Sequence, residues 1–318
     1  MSLLQNFRLA RYHVILTARS TIMMPTYTGS TLQAGFGPAF RKLVCTQGSI
    51  DCRDCTLNTV CSYPYNFETA PFEGADQFPA YDDVPRPFVI DPLGTQGEYR
   101  RGESFAFQLT LIGRAIDHLP YFLVSFRDLG ESGIGKKRGR FQLTQVLTDS
   151  RESVYDSDTQ MVHNFDNALR FAEIQREALS LLAARFDSLN TLTLHLLAPT
   201  RIAHDGKLAD KLPFHIFWKH LIERISALAY FHCGESLEID FKELIEKAKT
   251  VETTETSLEW KDVTQHTSRQ DKKAQFDGLV GNVTYEGELA MFMPFVVLGE
   301  LLHVGKNAMF GLGKYRIG

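Results

Sequence analysis

The sequence has no run of the ~18 to 20 apolar residues that crosses a bilayer and no excess of positive charge. Lys and Arg number 34 against 38 Asp and Glu, a formal net charge of −4. That balance excludes a protein that coats nucleic acid indiscriminately, although a local basic groove remains compatible with it. A secretory leader is also lacking: the opening MSLLQNFRLARYHVILTARS carries arginines and a histidine where an apolar segment would stand. These absences point to the cytoplasm, where thiols stay reduced and clustered cysteines indicate metal rather than disulfides. What is present is the balance of a globular protein with a core, 44 % hydrophobic and 23 % charged residues. A length of 318 residues allows one large domain or two ordinary ones.

Periodicity divides the chain into two similar halves. In the C-terminal half LNTLTLHLLA (189–198) alternates, with Leu192, Leu194 and Leu196 on one face of a strand. PFHIFWKHLIERISALAYFHCG then places Phe214, Phe217, Trp218, Leu221, Ile222, Ile225 and Leu228 at helical spacing, between Pro213 and Gly234. SLEWKDV and GLVGNVTYEG read as strands, ELAMFMPFVVLGELL as a helix and MFGLGKYRI as a last strand. The N-terminal half repeats the order: FRLARYHVILTARSTI, the helix GSTLQAGFGPAFRKLVC, RPFVI, SFAFQLTLIG, the helix AIDHLPYFLVSFRDL, and GRFQLTQVL. The expected class is α+β: two tandem ferredoxin-like (RRM-like, βαββαβ) domains with a C-terminal glycine-rich loop. Residues 1–150 form the first domain, with a cysteine-rich insertion (45–61) and a long loop (62–103). Residues 151–188 form a helical connector, and 189–318 the second domain, with its glycine-rich loop at 303–313.

After the second helix of each half comes the same string. Gly133-Ile134-Gly135-Lys136-Lys137-Arg138 parallels Gly311-Leu312-Gly313-Lys314-Tyr315-Arg316, a sign of duplication. Glycine admits positive φ and close approach of a neighbour; a phosphodiester is such a neighbour, held by backbone N–H groups and adjacent cations. Residues 134–140 carry four positive charges and 305–318 carry three, with no acidic residue in either stretch. The plainer reading is an ordinary turn with solvated lysines. P-loop and dinucleotide-binding readings fail because these glycines follow a helix and precede a strand.

Four cysteines, Cys45, Cys52, Cys55 and Cys61, stand with six, two and five residues between them. They point to a structural zinc site, an iron–sulfur cluster, or reduced structural thiols bracing the insertion that follows. Cys233 stands alone. A redox protein built on these cysteines is one functional reading, with no other residue speaking for it.

The ending resembles the glycine-rich loop of RAMP proteins of CRISPR systems, specifically their precursor-RNA-processing endoribonucleases. That loop reads Gly-apolar-Gly, five residues, Gly-apolar-Gly. Here it is His303-Val304-Gly305, five residues, and Gly311-Leu312-Gly313, so a histidine occupies the place of the first glycine. GSTLQAGFGPAFRKLVC, LLAPTRIAHDGKL, HTSRQ with GLVGNVTYEGEL, and GELLHVGKNAMFGLGKYRI are similar to the same family. The resemblance runs from residue 29 to the last residue. It implies two ferredoxin-like domains side by side with RNA across their junction. It further implies metal-independent cleavage of CRISPR repeat RNA in the precursor transcript to give guide RNA. The substrate's 2′-hydroxyl attacks the adjacent phosphorus, leaving a cyclic phosphate and a 5′-hydroxyl. No cofactor serves catalysis in such a scheme, and no DNA or membrane is required. Partners are the repeat RNA and subunits of a CRISPR effector complex.

Such chemistry needs a base, an acid and positive charge at the transition state. His303, at the entry to the loop, is the first catalytic candidate because imidazole titrates near working pH. Its plainer reading is a helix-terminal histidine favoured by the helix dipole. Tyr27, in the PTYTGS turn where relatives place a tyrosine or histidine, is the second. Lys42, with Arg41 on the first helix, would supply charge. Many relatives carry a histidine in that helix where this chain has Pro38, a departure that keeps a non-cleaving RAMP scaffold subunit as the alternative. The expected RNA contacts are Lys136, Lys137, Arg138, Arg140, Arg201, His204, Arg269, Gly305, Lys306, Gly311, Gly313, Lys314 and Arg316. His195 alternates with leucines on a strand and so faces RNA or water, whereas His215, His220 and His232, in or beside a long apolar helix, have structural readings.

Overall fold

Strands of alternating burial separated by apolar helices give two units, Leu9–Ala168 and Leu169–Gly318 with Met1–Arg8. The computed structural model describes residues 3–318 apart from 26, 49, 70–83, 95, 136, 164–165, 185–189, 205 and 267–272. No helix among the described residues is long and apolar enough to cross a membrane.

The first unit runs β1 (Arg8–Ala18), β2 (Ile22–Met24), α1 (Thr28–Val44), α2 (Ser62–Phe67), β3 (Phe88–Asp91), β4 (Gly97–Tyr99), β5 (Ser104–Ile112), α3 (Leu119–Ser132), β6 (Phe141–Thr148) and β7 (Ser153–Asp156). Its sheet has the order β3-β5-β1-β6-β7, antiparallel throughout. Tyr12, Val14 and Leu16 of β1 are buried on one face. The long first strand expected from the sequence breaks after Ala18. The N–H groups of Arg19 and Ser20 both donate to Arg140 O, at 2.8 and 3.2 Å, and Ile22–Met24 pairs with β4 instead.

Gly35, Gly37 and Pro38 make α1 a poor helix by propensity, yet it spans 17 residues. Tertiary burial overrides propensity here. Phe36 stacks on Phe126 of α3 at 4.4 Å between centroids, and Phe40 meets Phe122 edge-on at 5.3 Å. A Cβ on Gly35 would overlap the Leu129 side chain, so the glycine lets α1 and α3 approach closely. Pro38 is turned to solvent.

The second unit continues with β8 (Leu169–Arg170), α4 (Phe171–Ala184), β9 (Thr191–Thr200), β10 (Ala203–His204), β11 (Lys207–Leu208), α5 (Phe214–Leu228), α6 (Phe241–Lys249), β12 (Glu252–Lys261), β13 (Thr264–His266), β14 (Lys273–Gln275), β15 (Gly278–Glu286), α7 (Met293–Leu302) and β16 (Tyr315–Ile317). Its main sheet has the order β12-β15-β9-β16. With α5 and α7 this is the ferredoxin-like arrangement, in the same order as β3-β5-β1-β6. The helix α4 belongs to this unit; Phe171 at its start lies 5.3 Å from Phe295 of α7. Trp218 sits between Phe292 and Phe295, and the buried Tyr285 and Tyr315 hydroxyls donate to Leu212 O and Val296 O.

The helix α6 was not expected, although Phe241, Leu244, Ile245 and Ala248 stand at helical spacing; of these only Ala248 is buried. Its cap could have been read: Asp240 accepts from the Glu243 N–H at 2.9 Å. β12 begins at Glu252, ahead of the expected SLEWKDV, where nearly every residue is exposed and no alternation exists. The last strand is only Tyr315–Ile317, since Ala308–Phe310 forms a 3₁₀ turn.

Candidate nucleic-acid interface

The segment 133–140 is a small hairpin between α3 and β6. Ile134 and Gly139 exchange N–H···O bonds of 2.9 Å each, and Arg138 N–H donates to Gly135 O at 3.1 Å. Gly133 and Gly135 hold φ of +78° and +72°. A Cβ on Gly135 or Gly139 would run into the backbone of Met23 or Thr21, so these glycines seat the hairpin on residues 21–24. Ile134 is the buried anchor, and Lys137, Arg138 and Arg140 point to solvent. Lys136 lies outside the described residues.

This hairpin has basic neighbours that the sequence reading missed. Arg140 N–H donates to Ser20 Oγ at 2.8 Å, Arg19 N–H to Arg140 O, and Gly102 N–H to Ala18 O at 2.8 Å. The exposed Arg19, Arg100 and Arg101 therefore gather with Lys137, Arg138 and Arg140 at the end of β1. Three carboxylates stand among them: Glu131 lies 3.3 Å from Arg19, Glu98 lies 4.0 Å from Arg100, and Glu103 accepts from the Arg100 N–H. Six cations against three acids leave a net positive surface on a chain of charge −4. Chain separation hid it: residues 19, 100–101 and 137–140 meet only through strand pairing.

The loop 303–313 occupies the matching place between α7 and β16 and has a different character. His303 ends α7 with φ +60° and ψ 169°, a conformation that glycine alone adopts without strain. Its side chain is 3 % exposed, and Nδ1–H donates to Leu312 O at 3.2 Å. The N–H groups of Val304, Lys306, Phe310, Gly311 and Gly313 donate to Gly313, Arg201, Asn307, Ala308 and Pro199 carbonyls at 2.9 to 3.0 Å. A Cβ on Gly305 or Gly313 would strike the Arg201 or Val304 carbonyl. The glycines thus serve the protein's own folding, and the Gly311 and Gly313 amides expected at RNA phosphates are used internally. Lys306 and Arg316 are exposed, and Lys314 is half-buried.

Of the remaining expected contacts, Arg201 is ion-paired through Nη1 to Asp277 Oδ1. His204 is exposed on β10, and Arg269 lies outside the described residues. The open face of this unit's sheet carries the rows Arg316–His195–Asn282–Ser257 and Thr193–Thr284–Glu255. His195 Nδ1–H donates to Asn282 Oδ1 at 2.7 Å. No aromatic side chain stands in these rows, so the base-stacking mode of RRM sheets has no platform there.

Tyr27 precedes α1 and is 8 % exposed. Burial, and secondarily the Asp91 carboxylate, pushes its hydroxyl well above the ordinary tyrosine value. It is a hydrogen-bond donor at working pH, not a base. Lys42 is exposed in the last turn of α1, and Arg41 beside it donates to Ile50 O at 2.9 Å. Cys45, Cys52, Cys55 and Cys61 line one cavity of about 30 Å³.

Both units are ferredoxin-like in strand order, and the second closes on a glycine-rich loop. Residues 194–315 match the family model of the CRISPR-associated endoribonuclease Cas6, and residues 7–167 match a family model described as an N-terminal domain. The two halves of the chain thus match different family models, the Cas6 one over the C-terminal part. An uncharacterized protein of Archaeoglobus fulgidus is 24 % identical over 302 residues, 92 % of each chain. Among solved structures, a Cas6 product complex aligns over 97 % of this chain and 99 % of that one, at 15 % identity and TM-score 0.57. Thermus thermophilus Cas6 aligns over 98 % and 99 %, at 14 % identity and TM-score 0.53. A partial Cas6-RT-Cas1–Cas2 complex matches all of this chain at 15 % identity and TM-score 0.60. This chain spans 47 % of the length of that one, and 29 % of its counterpart in the Cas6-RT-Cas1–Cas2 complex. At these identities the solved structures establish the fold.

Proposed function

We propose that this protein is an endoribonuclease that cuts CRISPR repeat RNA within the precursor transcript to give mature guide RNA, without a metal ion. The observation that carries the reading is the cluster of Arg19, Arg100, Arg101, Lys137, Arg138 and Arg140 around the glycine hairpin. A surface of that kind suits the phosphates of an RNA strand. The family match over residues 194–315 and the product-bound relative of the same fold support the choice of substrate.

In the reaction the repeat's 2′-oxygen attacks the adjacent phosphorus and the bond to the 5′-oxygen breaks. The 2′-proton passes to a base, and the leaving oxygen takes a proton from an acid. His303 is the imidazole assigned to this proton transfer. A non-glycine residue kept in a glycine conformation is a sign of function. Tyr27, at the N-terminal end of α1, is the hydrogen-bond donor of this scheme; Lys42, at the opposite end of that helix about 22 Å away, offers its charge to the RNA strand and not to the same phosphate. His204, Lys306, Lys314 and Arg316 extend the RNA contacts in the C-terminal unit.

The test is incubation of the protein with end-labelled repeat RNA in excess EDTA under single-turnover conditions. A product ending in a cyclic phosphate supports the nuclease. RNA retained without cutting supports the scaffold alternative. His303→Gly refines the test, because glycine relieves the backbone at φ +60° while removing the imidazole. A folded, RNA-binding, inactive variant assigns His303 to the chemistry. Cutting at the parent rate assigns it to the architecture of the loop.

A further inference from the structure

The segment 45–61 joins α1 to α2 with a single turn of 3₁₀ helix, Cys52–Asp54. It has almost no core of its own: Ile50, Leu57 and Val60 are 45 %, 39 % and 74 % exposed. A loop this long with so little buried apolar surface needs another restraint to hold one conformation. Its four thiols supply the means. Cys45 is the C-cap of α1 and Cys61 the N-cap of α2. Between them Asp51 caps the 3₁₀ turn, accepting from Arg53 N–H at 3.0 Å. Cys55 N–H donates to Cys52 O at 3.3 Å, Asn58 N–H to Cys55 O at 3.0 Å, and Cys61 N–H to Leu57 O at 2.8 Å. These consecutive turns bring all four cysteines to the wall of the same small cavity.

We propose that Cys45, Cys52, Cys55 and Cys61 bind one Zn²⁺ in a closed, four-thiolate structural site that ties the end of α1 to the start of α2. The cavity wall carries four soft sulfur donors and no histidine or carboxylate, with Glu68 hydrogen-bonded to Cys52 from outside the wall; four thiolates match structural zinc, which takes four ligands and leaves no open position. Arg41 stands beside the site, hydrogen-bonded to Cys45 and lying 5.4 Å over the Tyr63 ring. There it offsets part of the negative charge of a four-thiolate zinc. Among the described residues no three His, Cys, Asp or Glu side chains already converge at metal-binding distance. The proposal therefore requires the four cysteines to change rotamer on binding, so that each sulfur comes to about 2.3 Å from the ion.

The full-length chain, purified in reducing buffer without added chelator, should contain about one zinc per chain by plasma mass spectrometry. Titration of the native protein with a mercurial should release that zinc in step with four thiols. Refolding in Co²⁺ should give the d–d bands of a tetrahedral thiolate site. Cys52→Ser and Cys55→Ser should lose the metal. Should either variant fail to fold, the release and cobalt measurements on the parent chain still decide the matter. Zinc-free protein with four freely reactive thiols, iron with acid-labile sulfide, or disulfides by non-reducing mass mapping would each overturn the site. Metal content is read without RNA, so the result stands apart from the nuclease assignment.

Discussion

The hairpin at 133–140 and the loop at 303–313 sit at the same place in their units and use charge in different ways. In both, glycines allow the backbone to lie against a neighbouring carbonyl. In the first, that seating leaves Lys137, Arg138 and Arg140 free of the fold, and strand pairing adds three more arginines. In the second the chain folds into its own core: Val304 and Leu312 are fully buried, and Arg201 behind it is ion-paired. A shared Gly-apolar-Gly string therefore reports a shared backbone problem. Under the proposed function, the cations that the tertiary structure leaves exposed decide which loop meets RNA.

The comparison can be broken most sharply at the glycines. Gly313→Ala puts a Cβ against the Val304 carbonyl in a buried loop at φ +66°, and should destabilise by about 3 kcal/mol or more. Gly48 also has positive φ, +66°, yet has open space around it, so Gly48→Ala should cost only about 1 kcal/mol. Equal shifts in thermal denaturation would end the claim that close approach decides the matter.

The next effect is on RNA. Replacing Lys137, Arg138 and Arg140 together by alanine should reduce the slope of log affinity against log salt by about 2, at ~0.7 per single-strand phosphate contact. Lys306→Ala with Arg316→Ala should change it by about 1.4 at most, two contacts at the same ~0.7 each. A larger change from the second pair would reverse the order of the two loops.

Arg201→Ala tests the ion pair behind the second loop. It should lower stability by about 1 to 3 kcal/mol, because Asp277 loses its partner, and leave the salt slope of RNA binding unmoved. A changed slope with unchanged stability would restore Arg201 to the RNA contacts expected from the sequence.

The smallest effect concerns pH. His220 is pushed below the ordinary histidine value chiefly by burial, and its Nε2–H donates to Ala203 O at 2.8 Å. As pH falls, the unfolded chain takes this proton first. The contribution is therefore complete above about pH 6.5 and declines below it, by at most ~1.4 kcal/mol per pH unit. His220→Gln keeps an N–H donor and should flatten the decline in denaturant midpoint between about pH 7 and 5.

Much of the architecture was legible because burial writes a period into the chain. β9, α5, β15 and α7 were visible from leucines and aromatics at periods of 2 and 3.6, and β1, α1, β5 and α3 likewise. The short helix α6 also carries that period, at Phe241, Leu244, Ile245 and Ala248, but it lies outside the repeated βαββαβ order that guided the reading. Arg19, Arg100 and Arg101 escaped for another reason: no local pattern ties residue 19 to residue 138.

The βαββαβ core order of each unit, the positions needing glycine and the clustering of four cysteines were determined by the sequence alone, because each depends on residues close together in the chain. The tertiary structure decided which charges meet solvent, which loop amides remain available and which thiols share a cavity. Those outcomes depend on groups far apart in sequence, joined only by strand pairing and packing.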